Sequence, residues 1–258
     1  MNQVNPLIKQ IKVQTLSIAG FDPSAGAGVL ADIKTFENSG VYGFGVATAM
    51  TWQNDMEFEK VEWLDYYKIV QQISVLLRRF DIKYIKIGLI ESMHVLHELV
   101  DFLHERIKQP VIVYDPVMSA SAGFTFHEGG QGLADILHKV YCITPNLPEA
   151  ELLFGGVNLY DNLLQKSATT NILLKGGHSH GPVSEDILFA GKLAYTFSNP
   201  RLPKGAKHGS GCVLSSALTA HLALGNDIAA AAENANCYTY NFLGSNETLL
   251  GYHKPSQS

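Results

Sequence analysis

The sequence predicts an α/β fold, with a mainly parallel sheet and helices on both faces, in one continuous domain, 1–258. Three observations predict it. Short apolar runs alternate with helical stretches almost throughout. Many of the apolar runs stop at Gly or Asp, as strands do when they open into loops. No repeat, low-complexity tract or linker divides the chain.

Thr15 to Ala19 reads as a buried strand ending at Gly20. Phe21 to Gly28 is a Pro- and Gly-marked loop, and Val29 to Asn38 a helix closed by Gly40. The glycines 20, 26 and 28 miss the dinucleotide spacing, so no NAD site is read here. Val46 to Thr51 is a second strand, followed by Gln53, whose amide could read a heterocycle edge, although by itself it reads first as a solvated loop residue. Asp65 to Phe80 is a helix with Tyr66, Ile69, Ile73, Leu76 and Leu77 inward and Arg78 and Arg79 at its C-terminal end. Lys83 to Ile87 is a strand ending at Gly88, and Met93 to Ile107 a helix carrying His94, His97 and His104 on a solvated face.

Val111 to Tyr114 is a strand ending in Asp115-Pro116, where a carboxylate serves either a turn or Mg²⁺. Ser119 to Gly132 reads as a flap. Tyr141 to Ile143 is a strand followed by Asn146 and Glu149 around Pro148, which suits the first position of a helix. Asn171 to Leu174 is a strand ending in Lys175-Gly176-Gly177-His178, a phosphate contact by type; His178 and His180 do not make a metal pair. Asp186 to Phe197 reads as a hairpin. His208-Gly209-Ser210-Gly211-Cys212 opens a helix of small residues, and its free amides suit phosphate or an oxyanion. A thiol in that first turn is expected at a lowered pKa. Asn226 to Leu243 is the last helix, and Gly251 to Ser258 a frayed tail.

The chain is 46% hydrophobic and 17% charged, with net charge −5, so no basic face for nucleic acid is advertised. No stretch has the length of a membrane span, and no signal peptide is evident. Three widely spaced cysteines, Cys142, Cys212 and Cys237, suggest free thiols in a reducing cytoplasm, with Cys142 and Cys237 read as buried.

Taken together, seven blocks in order resemble one family. They are Ile18 to Gly28 with Ala31 to Thr35, Gln53-Asn54, Lys86 to Gly88, Asp115 to Met118, Thr144 to Ala150, Leu174 to His178, and His208 to Cys212. The chain is similar to the hydroxymethylpyrimidine/phosphomethylpyrimidine kinases of thiamine biosynthesis. The resemblance implies a three-layer αβα ribokinase-like fold. It also implies ATP with Mg²⁺, a pyrimidine alcohol and its monophosphate as acceptors, and a homodimer. By the same resemblance, Gly20, Ala27, Asp32, Gln53, Leu89 and Val117 line the pyrimidine pocket. Asn146, Lys175, His208 and Ser210 serve ATP, and Asp115 and Glu149 serve Mg²⁺. Gly209, Gly211 and Cys212 form the catalytic loop. Cys212 either takes the hydroxyl proton or orients the hydroxyl.

The departures from the family pattern are Phe21, Ala25, Leu30, Leu89, a loop from Ser119 to Phe124 that lacks the acidic residue often found after the glycine, Lys204 to Lys207, and a short 155–170 segment with a helix trimmed or lost. The competing readings are a pyridoxal kinase, a sugar kinase of the same superfamily, and a ligand-binding relative without turnover. Cys212 argues against the first, the Gln53 and Asp32 blocks against the second, and the intact loop at 208–212 against the third.

Overall fold

The computed structural model describes residues 12–118, 132–178 and 181–253. Most of the flap, His180 and the end of the tail lie outside them. The chain runs β1 (Gln14–Phe21), α1 (Gly28–Asn38), β2 (Tyr42–Gln53), β3 (Phe58–Trp63), α2 (Tyr66–Leu77), β4 (Tyr84–Ile87) and α3 (Met93–Arg106). It continues with β5 (Val111–Tyr114), α4 (Leu133–Ile136), β6 (Cys142–Ile143), α5 (Leu147–Phe154), α6 (Leu159–Lys166) and β7 (Asn171–Leu174). A hairpin, β8 (Val183–Ala190) and β9 (Leu193–Pro200), leads to α7 (Ser210–Ala223) and α8 (Ile228–Leu243).

One sheet takes the order β3-β2-β1-β4-β5-β6-β7-β8-β9. From β2 to β7 the neighbours are parallel, and β3, β8 and β9 close the two sides antiparallel. Alternation along the strands divides the interior in two. Ile112, Tyr114, Ile143, Ile172 and Leu174 face a core built with α2, α3 and α6. Val113, Cys142, Leu173 and Leu188 face α7 and α8. The three-layer expectation is the observed architecture. The strand order reverses between β1 and β4, so their carboxyl ends open the crevice where ligands bind in such sheets.

Local chemistry explains most boundaries. Asp65, Ser92 and Asp227 cap α2, α3 and α8 with side-chain oxygens on free amides. Asn146 and Glu149 form a reciprocal capping box at α5. Leu147 takes the first helical position there and Pro148 the next, one later than the sequence suggested. On α2, Ile69 and Ile73 are fully buried, and the other three expected residues pack partly against the same core.

Four expectations change. Phe58–Trp63 is an edge strand that the sequence reading left unassigned, because Glu59-Lys60 breaks the alternation. Of the two alternatives for residues 155–170, the lost helix is removed: α6 is present, two turns long, and buries Leu159 and Leu163, one turn apart. Gly251 to His253 do not fray. The Tyr252 amide donates to Ser245 Oγ at 2.8 Å, and the His253 ring packs on Phe242. Cys237 is exposed, whereas Cys142 is buried as expected. His97 and His104 bond to the carbonyls of Gly132 and Lys139, and no metal-binding group of three or more His, Cys, Asp or Glu occurs among the described residues.

Candidate active site

The site grows from two glycine-bearing loops pressed together at the carboxyl ends of β1 and β4. Gly209 caps α7 in the left-handed region, φ 73°, and a Cβ there would fall 2.1 Å from the Gly26 carbonyl oxygen. Gly28 opens α1 at φ 61°, against the Gly20 carbonyl. Only residues without a side chain fit this clasp.

Asp22 fastens it. Its carboxylate accepts from the Ser24 amide and hydroxyl, from the Ala27 amide, and from His208 Nε2 at 2.8 Å. Burial alone would raise the Asp22 pKa, but the bonds from His208 and Ser24 and from the two amides hold it below the ordinary range. His208 was expected on the ATP side. Its ring borders the cavity, but Nε2–H is committed to Asp22, and Nδ1 is buried without a partner among the described residues.

The cavity above this clasp measures about 300 Å³. Gly20, Ala27, Gln53, Leu89 and Val117 line it from the β1, β2, β4 and β5 side. Asp115, Asn146, Glu149 and Lys175 line its middle, beside Gly209, Ser210, Gly211 and Cys212 at the start of α7. Asp32 is the exception among the expected residues: it does not reach the cavity. It lies fully buried behind it, bound to Lys86 Nζ at 2.9 and 3.0 Å and to the hydroxyls of Ser17 and Ser216. The sequence placed it on a helix beside the loop, but its side chain turns inward onto β1, β4 and α7.

Gln53 ends β2, and its Nε2 donates to Thr51 Oγ1, two residues back on the same face of the strand, at 2.8 Å. Thr51 in turn donates to the Phe21 carbonyl. The amide is thus oriented before any ligand arrives, with its carbonyl oxygen unengaged by protein among the described residues.

The charged centre is a lysine between two acids. Lys175 Nζ lies 2.7 Å from Asp115 Oδ1 and 3.6 Å from Glu149 Oε2. Asp115 also accepts from Thr144 and Ser215. Burial would raise its pKa, but Lys175 and Lys86 hold it low. Glu149 goes the other way: burial lifts it, and Lys175 only partly compensates.

Cys212 departs from expectation. Burial pushes its thiol up to about 11; Lys86 pulls down while Asp32 and Asp115 add to the rise. The Gly28 amide reaches the sulfur but does not offset the burial.

A polar chain at the β8–β9 side escaped the sequence reading. Asp186 accepts from the Gly176 amide and from Asn236 Nδ2, both at 2.8 Å, and Asn199 Nδ2 donates to Asn236 Oδ1 at 2.6 Å. All three residues border the cavity. The signal available was weak: Asp186 stands directly before the apolar run Ile187-Leu188-Phe189, but next to a second acid, Glu185.

Comparison with known proteins follows the same lines. The phosphomethylpyrimidine kinase family matches residues 22–257. A hydroxymethylpyrimidine/phosphomethylpyrimidine kinase of Aquifex aeolicus is 36% identical over 230 residues, covering 85% of this chain and 90% of that protein. The crystal structure of a phosphomethylpyrimidine kinase from Clostridium difficile 630 is 33% identical at a TM-score of 0.72, covering 88% of this chain and 98% of its own. An ADP complex of Bacillus subtilis pyridoxal kinase is 27% identical at a TM-score of 0.76, covering 88% and 90%. Matched by the family over residues 22–257 and by a relative 36% identical over 85% of its length, the chain belongs to the phosphomethylpyrimidine kinase family.

Proposed function

We propose that this chain transfers the γ-phosphoryl group of ATP to the hydroxymethyl group of 4-amino-5-hydroxymethyl-2-methylpyrimidine, and then to the resulting monophosphate. One observation carries the reading. A single cavity joins the preset amide of Gln53 to the Lys175, Asp115 and Glu149 cluster, with the amides of α7 between them. Gln53 reads the aminopyrimidine edge, while Gly20, Ala27, Leu89 and Val117 shape the apolar walls. Lys175 and Asn146 meet the nucleotide phosphates. The amides from Gly209 to Cys212 receive the charge of the transferring group, and His208 keeps that loop on Asp22. The new bond runs from the acceptor oxygen to the γ-phosphorus, while the bond to the bridging oxygen breaks and ADP leaves with the electron pair. A protonated Cys212 thiol does not take the acceptor proton, so that proton passes to a phosphate oxygen or water while Cys212 orients the hydroxyl.

Two carboxylates beside a phosphate site make a fitting Mg²⁺ donor set, since this ion keeps waters and takes one or two carboxylates plus phosphates. Asp115 and Glu149 would hold it, and it would supply charge neutralisation. We also infer that one domain carries the whole activity, working as a cytoplasmic homodimer. Among the described residues no helix is long and apolar enough to cross a membrane.

Pyridoxal phosphorylation is the second reading, favoured by the fold likeness to the Bacillus subtilis enzyme. The test is incubation with Mg-ATP and, separately, the pyrimidine alcohol, its phosphate, pyridoxal and ribose, with products followed by mass. Turnover of both pyrimidines is expected, and Gln53→Ala should raise KM for the alcohol about 10-fold or more through an unpaired polar edge. Turnover of pyridoxal alone would replace the proposal by its alternative.

A further inference from the structure

The Lys86-Ile87-Gly88 block is part of the family pattern, yet nothing above gives Lys86 a task. Lys86 is fully buried on β4 and borders the cavity floor. Its Nζ makes two hydrogen bonds, both to the Asp32 carboxylate, so its third N–H has no acceptor among the described residues. A Cβ at position 88 would lie 2.7 Å from Nζ, so Gly88 leaves the ammonium its space.

One face of α7 ties this pair to the reacting corner. Cys212, Ser215 and Ser216 stand at i, i+3 and i+4 and share that face. Ser215 Oγ donates to Asp115, the partner of Lys175, at 3.0 Å. Ser216 Oγ donates to Asp32, the partner of Lys86, at 2.7 Å. Cys212 therefore sits over two lysine–aspartate pairs. Lys175 is the phosphate contact, partly open to the cavity, and Lys86 is sealed below. The desolvation cost of a buried pair can exceed what it returns as stability, so this pair beneath the candidate reacting centre invites a second role.

We propose that Lys86 is a positioning residue for phosphoryl transfer: its ammonium, anchored by Asp32, supplies fixed positive charge beneath the acceptor oxygen, and Asp32 moderates that charge. This rests on the kinase reading above. As the acceptor O–H gives its proton to a phosphate oxygen or water and its oxygen bonds to phosphorus, the ammonium faces the negative charge that passes through that oxygen. Burial would lower the Lys86 pKa, but Asp32, Cys212 and Asp115 hold it above the ordinary lysine range, so the charge is permanent. The charged groups acting on Cys212 are Lys86 from β4, Asp32 from α1, and Asp115 and Lys175 from the loops after β5 and β7.

Cys212 is a built-in reporter of that charge, because its alkylation rate follows the thiolate fraction. Iodoacetamide labelling at a fixed pH of 8, resolved by peptide mass to separate Cys212 from Cys142 and Cys237, needs neither ATP nor pyrimidine. Asp32→Asn keeps a partner for Ser17 and Ser216 but leaves Lys86 unopposed. Lys86→Met removes the cation but strands a buried carboxylate and is at risk of misfolding. The double variant Lys86→Met with Asp32→Asn removes both charges together. Labelling of Cys212 should be faster than wild type in Asp32→Asn, and slower by about 10-fold or more in the double variant than in Asp32→Asn, a pKa difference of one unit or more. With the pyrimidine alcohol, the double variant should lose kcat by about 100-fold with KM for ATP little changed, as when one oxyanion donor is lost. Equal labelling rates in Asp32→Asn and the double variant, both folded by circular dichroism, would overturn the proposal. If the acceptor assigned above is wrong, only the turnover arm fails and the labelling order stands.

Discussion

Cys212 lies where a helix start should acidify a thiol, yet burial and the carboxylates of Asp32 and Asp115 outweigh the amides and Lys86. With its pKa pushed up to about 11, roughly one thiol in ten thousand is ionised at pH 7, four units below. A base so scarce would make kcat climb tenfold per pH unit from pH 7 to 9. The orienting role proposed for it gives no such climb, and Cys212→Ala should lose about 10- to 100-fold in kcat while ATP still binds. Cys212→Asp separates the roles further, because an orienting thiol replaced by a carboxylate should leave little activity. A profile that rises with pH and a substantially active Asp variant would restore the base. The sequence showed the type and place of this residue but not its charge, which depends on groups from α1, β4 and the loop after β5. Asp32 failed for the same reason: helical periodicity says which face turns inward, not whether the inward face meets ligand or lysine.

The elements that carry the site are short, and their ends matter more than their middles. β5 and β7 have the boundaries read from the sequence, because unbroken apolar runs stop at Asp115 and Lys175, two paired charges that border the cavity. The edge strand β3 and the four-residue helix α4 were not legible, since neither has enough periodic residues to rise above its charged neighbours. The α7 start was legible from glycines, but its partner was not: nothing in the local pattern says that Gly209 must meet the Gly26 carbonyl. Gly209→Ala tests that clasp. It forces a side chain into the left-handed region and onto backbone, for about 1–3 kcal/mol from the strain alone. The expected outcome is a melting temperature lower by several degrees together with a larger proportional loss of kcat. A variant of wild-type stability and turnover would show that the loops can part without consequence.

At the scale of the whole molecule, the C-terminal segment returns to the first helix. Asn38 of α1 donates to the Tyr238 hydroxyl at 3.1 Å, and that hydroxyl meets His253 Nδ1 at 2.9 Å. Burial, with Lys34 nearby, lowers the His253 pKa to about 4. The unfolded chain, with its histidine near 6.5, then binds more protons than the folded one between these values. Stability from this contact is full above about pH 6.5 and is lost as the pH falls towards 4. Melting temperatures taken from pH 7 to pH 4 should fall, and His253→Gln should flatten part of that fall; an unchanged slope would refute the link. The fold class itself was legible because alternating strands and helices leave few topologies. Long-range pairing is what no local pattern carries. His208 meets Asp22 across 186 positions, and Ser216 meets Asp32 across 184. A nascent chain on the ribosome can therefore lay down β1 to β7 and still lack the transfer loop. Until α7 emerges and docks, Asp32 lacks its bond from Ser216 and Asp22 its bond from His208, so on the function proposed above an unfinished chain would have the acceptor-side walls without the amides that meet the phosphates.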